Sequence, residues 1–447
     1  MKNYDLVVIG FGKAGKTLAS KFGALGKKVA VIEKSPQMYG GTCINIGCIP
    51  TKKMVEQSKF AKFHSDKMAY YAESVANKNA LIKALRAKNY AMLDDNANID
   101  VIDGVGSFLS EKEVKITKND GTTQVVCAPN IIINTGSIEQ KPDCLISSNL
   151  VYSSTQILEL TTLPKHLVVL GMGYIALEFA SLFANFGSKV TIVARKSDFM
   201  PKEDEDVAAS VLSSLQKQGI EVILSANLKE IVGEKLTFES AGKLHTVEAD
   251  AFLAATGRVA NTADLALQNA GVKTDKRGNI ITNEFLQTTA AHIYAVGDVK
   301  GGKLFTYISL DDYRIVFSHL CGDSSRTINN RATHASSLFL NTPLSSVGLK
   351  EKEAAAKGYE IKVAKLALSG VPRAKILSHD DGFLKAIIDA KSGKILGAAF
   401  HSVDSSEIIN QIAIAMELGA TYKVFQNQIF THPSISEALN DLFGQFA

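Results

Sequence analysis

The hydrophobic pattern opens with a short, nearly continuous apolar run, "DLVVIG" (Asp5 to Gly10), that stops at glycines. A run of that length, closed by glycine, reads as a strand buried on both faces rather than as an amphipathic helix. A helix-like stretch follows to Leu25, and "KVAVIE" (Lys28 to Glu33) supplies the next strand, so the chain begins with a strand–helix–strand unit. From about Lys52 to Asp94 the pattern is helical, with mixed Lys and Ala, and predicts a solvated pair of helices. Short strands follow through "IIINTGS", and after Pro164 the opening repeats as strand "HLVVLG", glycine turn, helix and strand "KVTIVA". One supersecondary unit recurring about 160 residues later is too widely spaced for a solenoid and predicts two dinucleotide-binding domains. From about Thr333 strands and helices alternate without a glycine fingerprint, which predicts a third domain.

Composition changes this picture little. The 447 residues leave room for about three domains, and 46% hydrophobic content makes a large core available. No apolar run approaches the ~18 residues of a membrane helix, and the N-terminal run stops at glycines as a first strand does, unlike a signal peptide. A cytoplasmic protein is expected. The net charge is only +4 with no basic block, so neither nucleic acid nor a membrane surface is an expected partner. Five cysteines are too few for a disulfide framework in a chain this long.

Two glycine fingerprints carry candidate chemistry. The first is Gly10-x-Gly12-x-x-Gly15, directly after a strand. Gly10 allows the tight turn, Gly12 lets backbone N–H groups approach a pyrophosphate, and Gly15 permits close helix packing. Glu33 closes the second strand, where an acid can take both hydroxyls of an adenosine ribose. The second fingerprint is Gly171-x-Gly173-x-x-Ala176. Glu33 stands 23 residues after Gly10, and the same 23 from Gly171 reach Ala194, followed by Arg195 and Lys196. An acid would repel a 2′-phosphate, whereas an arginine holds one with charge-assisted hydrogen bonds, so the second site is read as favouring NADPH, with NADH the weaker alternative.

Two dinucleotide sites suggest electron transfer between cofactors, which gives a purpose to "GGTCINIGCIPTK" (Gly40 to Lys52). Five residues of regular helix rise about 7.5 Å, beyond what a disulfide tolerates, so Cys43 and Cys48 pair only across a distorted turn. Gly47 and Pro50 supply the irregularity, with Pro50 expected to keep Ile49 out of a helix. Zinc needs four ligands, and Cys127, Cys144 and Cys321 are scattered singly, so redox chemistry is preferred and no metal is expected.

The segment Gly40 to Lys52 closely resembles the active-site segment of the class I pyridine nucleotide–disulfide oxidoreductases, which include dihydrolipoamide dehydrogenase, glutathione reductase and mercuric reductase. The resemblance covers the whole chain through "NTGS" (Asn134 to Ser137), "ATGR" (Ala255 to Arg258), "IYAVGD" ending at Asp298 and "HPSISE" (His432 to Glu437). "FTYISLDDYR" (Phe305 to Arg314) and "QIFTHPSISEALNDLF" look most like the RclA-type branch, associated with bacterial defence against reactive chlorine species, hypothiocyanous acid and copper.

The resemblance implies an α/β fold with two Rossmann-like domains, for FAD and NAD(P), and a C-terminal α+β dimerisation domain. The divisions are 1–148 for FAD, 149–260 for NAD(P)H, 261–332 completing the FAD domain and 333–447 for the interface. It implies that Gly10, Gly12, Gly15, Glu33, Thr42, Gly106, Thr135 and Asp298 hold FAD. Gly171, Gly173, Ala176, Arg195, Lys196 and Gly257 would hold NADPH, with Tyr174 gating the nicotinamide pocket and Lys52 and Glu178 paired beside the flavin. Cys48 would accept electrons from the flavin and Cys43 would attack substrate. His432, oriented by Glu437, would be the acid–base partner and come from the other subunit of a homodimer, with a cis His432–Pro433 bond.

The chain also departs from its relatives. No cysteine follows Cys321, so the C-terminal cysteine shuttle of mercuric reductase is missing, and Ala260 replaces the usual proline of a "GRxPN" segment. Asp311 and Asp312 stand where relatives carry small residues, either as a solvated face or as a polar, metal-attracting pocket. Without a shuttle, Cys43 must meet a small oxidant directly, for which hypothiocyanous acid is the expectation. Cu(II) reduction, dihydrolipoamide dehydrogenase activity and a non-enzymatic redox sensor are the alternatives.

Overall fold

The computed structural model describes residues 2–447. Its first five-stranded sheet runs in the order Ile293–Ala295, Asn130–Ile133, Leu6–Ile9, Val29–Glu33, Ile99–Asp103, all parallel. Period-two alternation explains why these strands are apolar throughout. Val7, Ile9, Ala30 and Ile32 pack in one core, while Leu6, Val8, Val29 and Val31 pack in another on the opposite face. A second parallel sheet repeats the plan with Val151–Ser153, Ala251–Ala254, His166–Leu170, Lys189–Val193 and Glu221–Ile223. A two-stranded antiparallel ribbon, Ser137–Glu139 with Arg258–Ala260, ties the two parallel sheets together. The C-terminal sheet is antiparallel, in the order Ser336–Leu338, Leu344–Gly348, Ile395–His401, Phe383–Asp389, Ile361–Ala367. The fold is therefore α/β in its first two units and α+β in its last.

Four helices of the first unit position the site: α1 (Lys13–Ala24), α2 (Thr42–Asn45), α3 (Cys48–Ser58) and α4 (Lys67–Asp94). Two expectations change here. Ile49 is helical despite preceding a proline, and the break falls at Ile46 and Gly47 instead. Pro50 sits in the first turn of α3, where an N–H has no intrahelical acceptor and its loss costs nothing. The helical region is also not a solvated pair. The first of these helices buries Pro50, Thr51, Met54, Val55, Gln57 and Ser58, and α4 buries Tyr71, Val75 and Ile82. The Lys and Ala content concealed this, because long polar side chains cover only the outer face.

Among the described residues, no helix is long and apolar enough to cross a membrane. The compact acidic group Asp204, Asp206 and Glu351 surrounds the fully buried ammonium of Lys385, at 2.9, 2.8 and 2.5 Å. That network clamps the second unit to the C-terminal sheet with the chain's own cation.

Candidate functional site

A cavity of about 1250 Å³ lies along the carboxyl ends of the first sheet. Gly10 turns the chain there at φ +100°, and a Cβ on it would lie 2.4 Å from the Asn134 carbonyl oxygen. Gly12 caps α1 without any side chain, and the N–H groups of Gly12 and Lys13 have no acceptor among the described residues. They face the cavity as unpaired donors at a helix start. Glu33 is buried at the cavity edge, accepting from the N–H groups of Phe11 (3.0 Å) and Ser35 (3.2 Å). Burial pushes its carboxyl pKa up, and these backbone donors pull it back. Thr42, Gly106, Thr135 and Asp298 line the same space. The Ser137 hydroxyl donates to Asp298 (2.8 Å), whose pKa burial also raises. Unpaired N–H donors, a strand-end acid and an elongated cavity fit an adenine dinucleotide such as FAD. Gly15 does not face the cavity. Its Cβ would meet Val8 at 2.7 Å and Asn134 Oδ1 at 2.8 Å, so it is the helix–sheet contact that requires a glycine.

Cys43 and Cys48 face this cavity as free thiols on either side of the break between α2 and α3. Cys48 is exposed and lines the cavity, 3.6 Å from the Thr306 hydroxyl. The Cys43 thiol, then Thr306 and the Lys52 ammonium, outweigh burial and hold the Cys48 pKa down to about 6. The same hydrogen bond, with burial, pushes Cys43 up. In the reduced pair the first thiolate therefore resides on Cys48. One turn along α3, Lys52 makes two bonds to the buried Glu178 carboxylate, at 2.8 and 2.7 Å, and Glu178 also accepts from Phe339 N–H at 3.1 Å. Burial raises the pKa of Glu178 against the pull of Lys52, and the paired side chains stand at the cavity wall.

A second cavity of about 1000 Å³ repeats the arrangement on the second sheet, lined by Gly171, Gly173, Tyr174, Arg195, Lys196 and Gly257. Ala194 is buried at the strand end, and Arg195 and Lys196 are exposed. Ala176 lies behind the lining, fully buried. Tyr174 and Phe305 line both cavities and stand between them, with ring centroids 6.3 Å apart.

His432 and Glu437 form a separate pair. His432 Nδ1 lies 2.8 Å from Glu437 Oε2, Ser434 N–H donates to Glu437 Oε1 at 3.0 Å, and the His432–Pro433 bond is cis. The imidazole is largely exposed and does not line the cavity of the dithiol in its own chain.

Asp311 and Asp312 fit neither alternative read from the sequence. Both are buried and matched by cations: Asp311 by Arg326 and Arg331, Asp312 by Arg331 and Lys300. Asp312 also accepts from Gly297 N–H at 2.7 Å, so it anchors the turn that presents Asp298. The matching arginines come from the loop after the helix Thr306–Leu320, a pairing that no local spacing announces. Sequence reasoning also missed Asn134 and Thr306. Asn134 accepts from Gly15 N–H at 2.8 Å and donates to the Val296 carbonyl at 2.9 Å, locking α1 to two strands. Its place in "NTGS" was the available signal.

Residues 4–315 match the family Pyridine nucleotide-disulphide oxidoreductase, and residues 334–443 match that family's dimerisation domain. The chain is 44% identical over 445 residues to the probable pyridine nucleotide-disulfide oxidoreductase RclA of Escherichia coli, covering 99% of each. It is 32% identical to mercuric reductase of Staphylococcus aureus, over 98% of this chain and 81% of that one. It is also 32% identical to the mitochondrial dihydrolipoyl dehydrogenase of Pisum sativum, over 98% and 90%. Among solved structures, the Cu(II) complex of the HOCl-induced flavoprotein disulfide reductase RclA from Escherichia coli superposes with a TM-score of 0.94 at 43% identity, with both chains fully covered.

Proposed function

Because the chain belongs to the pyridine nucleotide-disulphide oxidoreductase family, and so is an oxidoreductase using FAD and a pyridine nucleotide, we propose that it reduces hypothiocyanous acid with electrons from NADPH. One observation carries this reading: the two thiols share a cavity, and an acceptor must enter it to reach Cys43. The acceptor must then be small enough to reach Cys43.

FAD bound in the first cavity supplies hydride acceptance from the nicotinamide and delivery of the electron pair to the oxidised dithiol. The chain does the rest. Gly12 and Lys13 N–H groups would hold the pyrophosphate, Glu33 the ribose and Asp298 the ribityl chain, with Thr42, Gly106 and Thr135 lining the same cavity. Arg195 and Lys196 take the 2′-phosphate of NADPH, and Tyr174 covers the nicotinamide pocket. Lys52, oriented by Glu178, holds a positive charge at the cavity wall. After reduction Cys48 keeps its thiolate above about pH 6, leaving Cys43 to attack.

The partner subunit's His432 takes the Cys43 thiol proton as the Cys43 sulfur bonds to the sulfur of hypothiocyanous acid and the S–O bond breaks. The oxygen leaves as hydroxide and receives that proton back from the partner subunit's His432 to become water. Cys48 then attacks Cys43 Sγ, thiocyanate leaves and the disulfide is restored. The net change consumes one NADPH and one hypothiocyanous acid and yields NADP⁺, thiocyanate and water. A composite site in a homodimer is part of this reading, supported by the dimerisation-domain match and by His432 lying away from its own dithiol. So is the division at 148, 260 and 332, supported by the return of Ile293–Ala295 to the first sheet.

A second reading, Cu(II) reduction, is favoured by the described Cu(II) complex of the similar Escherichia coli protein. It proceeds by one-electron steps that do not need a resolving thiol. Stopped-flow NADPH oxidation with hypothiocyanous acid, oxidised glutathione, lipoamide and Cu(II) separates the readings. Hypothiocyanous acid should be the fastest acceptor, Cys43→Ser should abolish turnover, and His432→Ala should slow it by about 10²–10⁴-fold. Turnover no faster than with glutathione or lipoamide would overturn the proposal.

A further inference from the structure

Three lysines in the chain are buried: Lys16, Lys78 and Lys385. Lys78 is paired with Glu159 and the Leu158 carbonyl, and Lys385 with three carboxylates. Lys16 is the exception. Its ammonium, on a residue only 4% exposed, donates to the neutral side-chain oxygen of Asn89 and has no carboxylate partner among the described residues. A buried cation with only a neutral partner is costly, and an anion standing beside it would offset that cost.

The position of Lys16 identifies that anion. Gly12, one turn earlier on the same face of α1, touches Gly41, since a Cβ on Gly41 would lie 2.7 Å from Gly12 Cα. Helical side chains lean toward the N-terminus, so the Lys16 stem points back under that same turn. Asn89, on α4, completes the enclosure, because a Cβ on Gly40 would lie 3.2 Å from Asn89 Cγ. The ammonium therefore sits below Gly40 and Gly41, which precede Thr42 and Cys43. Lys13, not Lys16, lines the dinucleotide cavity, so the pyrophosphate has its own neighbour.

We propose that Lys16 is a positioning residue for the attacking thiol, its buried ammonium stabilising the Cys43 thiolate from beneath the Gly40–Cys43 turn. This rests on the reading that Cys43 attacks the oxidant. Of the other groups facing the thiol, Lys52 on α3 is bound to Glu178, and the Thr306 hydroxyl also favours the thiolate by a hydrogen bond. Tyr307 is neutral, and a Cys48 thiolate is like-charged and repels, which leaves Lys16 as the cation without a carboxylate partner. Burial lowers the Lys16 pKa to about 8, while Cys43 pulls it upward, the reciprocal of the effect assigned to it. Lys13 repels it in the same setting.

The test follows carboxamidomethylation of Cys43 by iodoacetamide as a function of pH in the reduced holoenzyme. The thiolate displaces iodide and an S–C bond forms, so the rate reads the thiolate population. Lys16→Met should move the midpoint up by about one pH unit, whereas Lys16→Arg should keep it. Asn89→Asp gives the ammonium a permanent carboxylate and should raise the midpoint in the same direction, and it decides the matter if Lys16→Met fails to fold. An unchanged midpoint in whichever variant folds overturns the proposal, as does an equal shift in Lys16→Arg. No oxidant enters the assay, so a failure here and a failure of the hypothiocyanous acid reading remain distinguishable.

Discussion

The two dinucleotide cavities share a frame and diverge at two kinds of position. In both, the first glycine is dictated by backbone. A Cβ at Gly10 would lie 2.4 Å from the Asn134 carbonyl oxygen, and one at Gly171 would lie 2.6 Å from that of Ala255. The third position differs because the residue beneath it differs. Asn134 fills the space under α1 and leaves room only for Gly15, whereas Ala255, at the matching place in "ATGR", lets Ala176 be tolerated. At the strand ends, a buried carboxylate on Glu33 faces one cavity, and exposed cations on Arg195 and Lys196 face the other. In the proposed reading, the shared part of the frame presents N–H groups to a pyrophosphate and the variable part selects the dinucleotide.

The largest expected effect is at the first strand end. Glu33→Ala leaves the buried Phe11 N–H and the half-buried Ser35 N–H unpaired and removes the proposed ribose acceptor. At about 1.5–3 kcal/mol for each bond to a charged group, FAD affinity should fall by about 100-fold or more, read as flavin retained per protein after gel filtration. The corresponding change at the second site should alter preference rather than retention. Arg195→Glu should lower the NADPH-to-NADH ratio of kcat/KM by about 10–100-fold, as expected for one charge-assisted contact replaced by repulsion. A wild-type ratio at or below one would remove the distinction drawn between the two strand ends. Smaller again is the helix–sheet contact. Gly15→Ala should cost about 1–3 kcal/mol by overpacking, measured by denaturant titration, and Asn134→Ala on that background should recover part of it. Ala176→Gly, which relieves no clash, should cost only about 1 kcal/mol.

How much of this was legible varied with the distance over which each signal acts. The glycine fingerprints, Glu33, the Cys43–Cys48 pair and the His432–Glu437 spacing are local signals: Gly10, Gly12, Glu33 and both thiols line one cavity, and His432 stands beside Glu437. Asp311 and Asp312 were not legible, because their partners Arg326 and Arg331 lie 15 to 20 residues away beyond a helix end. Ile49 was misread because a rule for helix interiors does not hold in a first turn. Lys16 was passed over because a lysine beside a glycine motif looks like any solvated cation until its burial is known.

By itself the sequence determined the strand–helix–strand units and the positions of their glycines, because period-two apolar runs and positive φ angles are short-range properties of the chain. It also determined that two thiols stand five residues apart while the other three, Cys127, Cys144 and Cys321, are scattered singly. Only the tertiary structure decided which side chains lose water together: Glu178 under Lys52, Asp312 under the Gly297 turn, Asn134 under α1 and Lys16 under the Cys43 turn. The reason is desolvation. The energy of an ionisable group depends on every element packed around it, and those elements come from distant parts of the chain.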